Sequence, residues 1–339
     1  MRKTTRGPAS HSTMRILVTG GAGFIGSHVC ERWLATGASV CALDDLSTGS
    51  RGNLAGFETH PEFCFRSGSV RDAACLDPLV AEADVVFHLA AAVGVRRVLE
   101  SPRETFETNM EGARAVLGAA SSHGKRVVFA SSSEVYGHGL RLPFREDDPL
   151  LIGTTDEPRW TYAFSKAAGE ALGFACARES AMPFLVVRLF NTVGPRQTGR
   201  YGMVLPRFVR QAVRGEPITV YGDGSQTRCF IDVRDTAHAL VRLSTTDEAY
   251  GRVFNVGSQK EITIDSLAHL VREIAQSESP IVHMPYREAY GMEINDLPRR
   301  QPDVTQLTEL IGDPVGRTLE ETIAEIAELM RREPSLSAF

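Results

Sequence analysis

The sequence predicts an α/β fold, a doubly wound parallel sheet with a smaller C-terminal α/β substrate lobe. Three observations carry that expectation. Over the first 190 residues, short and nearly unbroken apolar runs alternate with longer stretches of helical periodicity, the pattern of strands covered by helices on both faces. The first run leads directly into a glycine-rich turn that opens a helix, Thr19-Gly20-Gly21-Ala22-Gly23-Phe24-Ile25-Gly26. After Asn191 the rhythm breaks, glycine and proline cluster, and short strands mix with helices.

In chain order, the strand-like runs are Arg15–Thr19, Ser39–Leu43, Phe63–Ser67, Val85–Leu89, Arg126–Ser131 and Leu185–Leu189. Helical patterns stand out at Pro102–Ser122 and Tyr162–Ser180. The second lobe is expected to hold strands at Ile218–Tyr221 and Val253–Val256 and helices at Leu205–Arg214, Ile264–Ala275 and Leu319–Arg332. Residues 1–13 are basic and polar, lack the apolar core of a secretory signal, and read as a disordered tail with Met14 as an alternative start. The expected division is therefore a tail at 1–13, a dinucleotide-binding domain at 14–190 and a mainly substrate-binding lobe at 191–339.

Composition narrows the function. The 339 residues are 42% hydrophobic and 23% charged, which suits a packed enzyme-sized chain rather than a disordered one. A net charge of −5 argues against a nucleic-acid partner, and no apolar run reaches the roughly 20 residues that a membrane span needs. The six cysteines form no CxxC pair and no metal-ligand spacing, so no metal is expected and their usage fits a reducing cytoplasm.

The glycine turn has the context that phosphate binding requires. Gly20 permits a tight turn, Gly23 lets the backbone approach a pyrophosphate, and Gly26 allows close packing of helix on strand, with Phe24 and Ile25 in the first turn. Asp44 ends the next strand, where a carboxylate accepts hydrogen bonds from ribose hydroxyls and repels a 2′-phosphate, so the expected cofactor is NAD rather than NADP. Leu89, Ala90 and Ala91 end the fourth strand, where small residues leave room for the dinucleotide. His88 reads as an ordinary buried histidine.

Tyr162-Ala163-Phe164-Ser165-Lys166 places a tyrosine and a lysine four residues apart, on one helix face. An ammonium near a phenol favours phenolate, and the phenol can then act as a base toward a sugar hydroxyl. Ser131-Ser132-Ser133 ends the fifth strand, where a hydroxyl completes a Ser–Tyr–Lys set.

Together these motifs resemble the extended short-chain dehydrogenase/reductase family of nucleotide-sugar epimerases, dehydratases and decarboxylases. The resemblance spans residues 14–332 and includes Arg188–Arg196 (RLFNTVGPR) and Pro217–Phe230 (PITVYGDGSQTRCF). It implies that Ser132 is the catalytic hydroxyl and that Ser133-Glu134 is the variable pair that separates members. In 4-epimerases the pair is usually small or hydroxylic, and in 4,6-dehydratases it is typically Asp-Glu. Ser-Glu resembles the UDP-glucuronate decarboxylases, as do Pro158-Arg159-Trp160-Thr161-Tyr162 and Arg300-Gln301-Pro302.

The resemblance thus implies an NAD-dependent enzyme acting on UDP-glucuronate through Ser132, Ser133, Glu134, Tyr162, Lys166 and Arg300. It would oxidise C4, lose CO₂, and give UDP-4-keto-xylose or UDP-xylose. Arg228 and Arg300 are similar to the family's diphosphate-side arginines, Asn191 to an amide on the diphosphate or sugar, and Thr219 and Tyr221 to residues along the uridine. Arg200 and Arg207 receive no role. A homodimer is implied, with the helices at Pro102–Ser122 and Tyr162–Ser180 forming a four-helix bundle; an apolar stripe of Ala113, Val116, Leu117 and Ala120 permits this, and burial within one subunit explains the stripe equally well. A UDP-sugar 4-epimerase is the rival on the same fold, and a non-catalytic NAD-binding sensor is the rival of a different class.

Overall fold

A computed structural model describes residues 13–199, 202–291 and 296–332. Most of the expected N-terminal tail and Arg200 lie outside these residues. The strands are β1 Arg15–Thr19, β2 Ser39–Asp44, β3 Phe63–Ser67, β4 Val85–His88, β5 Arg126–Ser132, β6 Phe184–Leu189, β7 Thr192–Val193, β8 Ile218–Tyr221, β9 Thr227–Cys229, β10 Ile231–Asp232, β11 Val253–Val256, β12 Glu261–Thr263 and β13 Ile281–Met284. The helices are α1 Phe24–Leu34, α2 Ala73–Glu82, α3 Val95–Glu100, α4 Pro102–Ser122, α5 Thr161–Ser180, α6 Val204–Arg214, α7 Val233–Ser244, α8 Ile264–Ile274, α9 Tyr286–Tyr290, α10 Thr305–Ile311 and α11 Leu319–Arg332.

Strand periodicity explains the layers. Along β1, Ile16 and Val18 face one apolar layer, which also holds Val29 and Trp33 of α1 and Leu240 and Leu243 of α7. Leu17 faces the other, with Leu76 of α2 and Val116 and Leu117 of α4. Two buried faces require apolar residues at successive positions, and the middle of β1, Ile16-Leu17-Val18, is apolar accordingly. Among the described residues, seven parallel strands form the central sheet in the order β11-β6-β5-β4-β1-β2-β3. The order reverses between β1 and β4, which opens a crevice at the carboxyl ends of the strands.

One element sits elsewhere than the sequence suggests. Val253–Val256 pairs with β6 as the seventh strand of the central sheet, Val253 opposite Val186 and Val256 opposite Leu189. A four-residue apolar run carries no information about which sheet it joins. The second lobe is otherwise built from α6, α8 and α11 around Phe208, Val209, Val220, Leu267, Ile323 and Ala327. It caps the crevice from the side opposite the glycine turn.

The stripe of Ala113, Val116, Leu117 and Ala120 is buried against the subunit's own sheet. It is therefore not available for pairing with a second subunit. The outward face of α4 instead carries Gly118, beyond whose α-carbon lies open space, and Phe106, 39% exposed, stands on the flank of the helix.

Candidate active site

A cavity of about 1120 Å³ runs from the glycine turn, across the crevice, to α6 and α9. Gly20 has φ +72°, and a side chain there would meet the backbone of Ala90 at 2.7 Å. At Gly26 a Cβ would lie 2.1 Å from the Gly20 carbonyl oxygen, so only glycine lets α1 begin this close to β1. Gly23 stands at the N-cap of α1. Phe24, Ile25, Leu89, Ala90 and Ala91 line the same end of the cavity.

Asp44 closes that end. Its carboxylate accepts from the Ala22 N–H at 3.0 Å and from the Leu46 N–H at 2.8 Å. Burial raises its pKa, and these two bonds oppose the rise. The remaining lone pairs suit ribose hydroxyls, while the charge disfavours a phosphate. Turn, helix start, acidic strand end and crevice thus fit a dinucleotide without a 2′-phosphate. His88 is a buried neutral imidazole whose Nδ1 lies 2.9 Å from the Thr19 hydroxyl; burial and the nearby Lys166 lower its pKa to about 3. It has a packing role, as the sequence suggests.

The three serines at the end of β5 divide three tasks. Ser131 donates to Glu170, whose carboxylate also holds Arg188 at 2.8 Å in a buried ion pair that ties α5 to β6. Removing either charge from such a pair costs about 3–5 kcal/mol, because the other is left unpaired. Ser132 accepts from the Glu134 N–H at 3.2 Å, and its hydroxyl acts to lower the pKa of the Tyr162 phenol. Ser133 begins the tight turn Ser133–Tyr136 and lines the cavity.

The ionisation of Tyr162 and Lys166 departs from the expectation. Burial, then the charge of Glu134, push the Tyr162 phenol above its usual value, while the Ser132 hydrogen bond opposes them. Burial lowers Lys166 to about 8, partly offset by Glu170. Lys166 donates to the Ala130 carbonyl at 2.8 Å, and its ammonium lies 5.9 Å from the Tyr162 ring centroid. The unliganded phenol is therefore protonated, and the four-residue spacing alone does not activate it.

At the substrate end, Glu134 forms an ion pair with Arg300 and lies 3.8 Å from Arg159. Asp296 accepts from Arg228 at 2.7 Å, from Arg159 at 3.2 Å and from the Tyr286 hydroxyl at 3.2 Å. Burial opposes the ionisation of both carboxylates, yet the guanidiniums hold both below their ordinary range. Burial lowers Arg228 to about 10, and Arg300 adds to that effect. Arg300 is also buried, but Glu134 and Asp296 raise its pKa, so it serves better as an anchor than as a proton donor. Asn191 lines the cavity and donates to the Cys229 carbonyl at 3.2 Å.

Two sequence expectations change at β8. Tyr221 lines the cavity, but Thr219 does not. Gln211 of α6 donates to the Thr219 hydroxyl at 3.0 Å and accepts from its N–H at 3.1 Å, which turns this residue toward the lobe's interior. Arg207, to which the sequence assigns no role, lies in the cavity wall with its guanidinium 3.6 Å from the Tyr221 ring centroid. Asp296, Tyr286 and Tyr290 also line the cavity without having stood out in the sequence.

Comparison with known proteins agrees with this geometry. Residues 16–257 match the NAD dependent epimerase/dehydratase family. The chain is 40% identical over 322 residues to a UDP-N-acetyl-alpha-D-glucosaminuronate decarboxylase of Bacillus cytotoxicus, covering 94% of this chain and 98% of that protein. It is 33% identical over 319 residues to UDP-glucuronic acid decarboxylase 1 of Danio rerio, covering 94% and 73%. Among solved structures, UDP-glucose 4-epimerase from Thermotoga maritima with UDP-glucose superposes with a TM-score of 0.83 at 29% identity, covering 94% of this chain and 99% of that one. The chain belongs to the NAD-dependent epimerase/dehydratase family, with NAD as its cofactor.

Proposed function

We propose that the protein decarboxylates UDP-glucuronate. The observation that carries this reading is Glu134, one residue past Ser133 and two past the catalytic hydroxyl, held by arginines inside the cavity rather than in solvent. Ser132 and Tyr162 hold the sugar's C4 oxygen, and Tyr162 takes its proton in the ionised form, which requires that the phenol first lose its own proton; the positive charges of Lys166 and of a bound oxidised nicotinamide would both favour that loss. NAD, which Gly20, Gly23 and Asp44 would hold, would supply the acceptor for the C4 hydride, and a ketone at C4 lies β to the C6 carboxylate. Loss of CO₂ then places electrons on an enolate whose oxygen the Ser132 hydroxyl and the protonated phenol stabilise. Glu134 and Ser133 orient the carboxylate out of the ring plane or assist proton movement, Arg300 anchors, and protonation at C5 gives the 4-ketopentose or, after hydride return, UDP-xylose.

The 40% identity to a decarboxylase named for an N-acetylated uronate supports a second substrate, UDP-N-acetylglucosaminuronate. Purified protein with NAD⁺ and either uronate, followed by NMR for CO₂ and pentose, tests both. UDP-galacturonate as product would identify an epimerase, and absence of turnover would point to a sensor. In the same reading the protein is a homodimer through α4 and α5, a surface that Phe106 and Gly118 leave open. It works in the cytoplasm, consistent with six unpaired cysteines, including Cys41 and Cys64, which sit opposite each other on β2 and β3. No helix among the described residues is long and apolar enough to cross a membrane.

A further inference from the structure

We infer that Arg159 is the guanidinium that receives the sugar's carboxylate, and that it thereby sets the preference for an acidic over a neutral sugar nucleotide. The inference takes the identity of the sugar from the decarboxylase reading, but its test reads binding rather than turnover.

Arg159 lies in the short turn Pro158–Trp160 that feeds α5, three residues before Tyr162. Its position is therefore tied to that of the catalytic phenol. The guanidinium stacks 5.0 Å above the ring of Trp160, which is fully buried and whose indole N–H donates to Glu157 at 2.9 Å. The Arg159 side chain is only 10% exposed and stands in the cavity wall between Glu134 and Asp296. A rigid, desolvated platform of this kind favours bidentate recognition of an oxyanion.

Arg228 has fewer donors to offer, and Arg300 is bound more closely to Glu134 than Arg159 is. Arg228 spends Nη1 on the carbonyls of Thr227 and Leu297 and Nη2 on Asp296. Arg300 commits Nη1 to a close ion pair with Glu134, and its Nε–H, like that of Arg159, has no acceptor among the described residues. Arg159 makes one hydrogen bond of 3.2 Å and one looser ion pair of 3.8 Å, and its Nε–H has no acceptor among the described residues. Charge balance agrees. Three guanidiniums face two carboxylates, so the cluster carries one uncompensated positive charge, and a uronate brings one negative charge that a hydroxymethyl group lacks. The diphosphate is common to both ligands, so the carboxylate is the charge by which they differ here, and a neutral sugar leaves the buried Arg159 guanidinium without that partner.

The test is calorimetric titration of the NAD-loaded protein with UDP-glucuronate and with UDP-glucose, in a Tyr162→Phe background that blocks turnover. The background protein is expected to bind the acid at least about 10-fold more tightly, the scale of one charge-assisted contact. Arg159→Gln is expected to remove most of that ratio by weakening UDP-glucuronate alone, with UDP-glucose affinity within about threefold. Arg159→Lys, which keeps the charge, should retain part of the ratio. An unchanged ratio in Arg159→Gln, including equal loss of both ligands, overturns the inference, as does a background protein with no preference for the acid. Arg159→Met, which keeps the packing on Trp160, repeats the test if the glutamine variant fails to fold. CO₂ release is measured separately on the parent: binding of UDP-glucuronate without CO₂ refutes decarboxylation while the ratio still judges Arg159.

Discussion

Glu134 and Arg300, 166 positions apart in the chain, form an ion pair in the lining of the cavity. The pair joins the end of β5 to the segment after α9, so the acid that distinguishes this site is held by the arginine to which the proposed mechanism gives the anchoring role. Glu134 also raises the phenol's pKa. Any substrate anion that draws Arg300 or Arg159 away from Glu134 alters the electrostatics at Tyr162.

Glu134→Gln should slow CO₂ release by about 10²-fold or more, the usual scale of a positioned acid–base group. Initial hydride transfer should suffer less, because Ser132, Tyr162 and Lys166 remain. Single-turnover absorbance for NADH, set against CO₂ evolution, gives the two rates. Pentose formation at the parental rate would make Glu134 a bystander.

Tyr162→Phe should abolish turnover and leave NAD affinity nearly intact, since only a hydroxyl is lost from a side chain whose ring still packs. Residual activity above one-tenth of the parent's would remove the phenol from the role of base.

Asp44 should make NAD⁺ a far better cofactor than NADP⁺. Its carboxylate already accepts two backbone N–H bonds and would face the extra phosphate directly. Rates compared at matched saturation check this, and equal rates would count against the assignment.

Stability should fall as pH drops below about 6.5, partly through His88. The folded imidazole titrates near 3 and the unfolded one near 6.5, so between those values the unfolded chain binds a proton that the native state refuses. The native state is therefore favoured above that window and loses ground as acid is added. Denaturant melts at several pH values should show a slope about 1.4 kcal/mol per pH unit shallower in His88→Gln than in the parent. Identical slopes would mean that His88 is not the titrating group. His28, lowered to about 4 by burial and Arg196, contributes a similar slope in both proteins.

Light scattering should give a dimer mass at micromolar concentration, and Phe106→Glu on the exposed flank of α4 should shift it toward monomer. A monomer mass for the parent across that range would exclude a stable dimer.

Much of the site is legible in the sequence because its chemistry comes from local patterns. The glycine turn, Asp44 and the Tyr162–Lys166 spacing each need only neighbouring residues to be recognised. The remainder depends on contacts between distant segments. Arg207 looks like one more surface arginine until α6 and β8 bring it over Tyr221. Asp296 is an isolated acid until Arg159 and Arg228 converge on it. Thr219 departs from expectation because a strand shows which residues share a face but not which face meets the cleft. The raised pKa of Tyr162 is hidden for another reason: spacing brings Lys166 near, but burial decides where its proton donates.

The return of the chain to the central sheet at β11 has a consequence for how the protein could be divided. Asn255 in that strand accepts from the Tyr136 hydroxyl at 2.7 Å and donates to the carbonyls of Phe144 and Asp303 at 2.9 and 3.0 Å. One side chain thus staples the shelf bearing Glu134 to the loop that follows Arg300. A fragment ending at residue 190 would lose this staple and leave the hydrogen-bonding edge of β6 unpaired between Val186 and Leu189. Such an edge is a template for intermolecular strand addition, so the amino-terminal half is a poor candidate for expression alone.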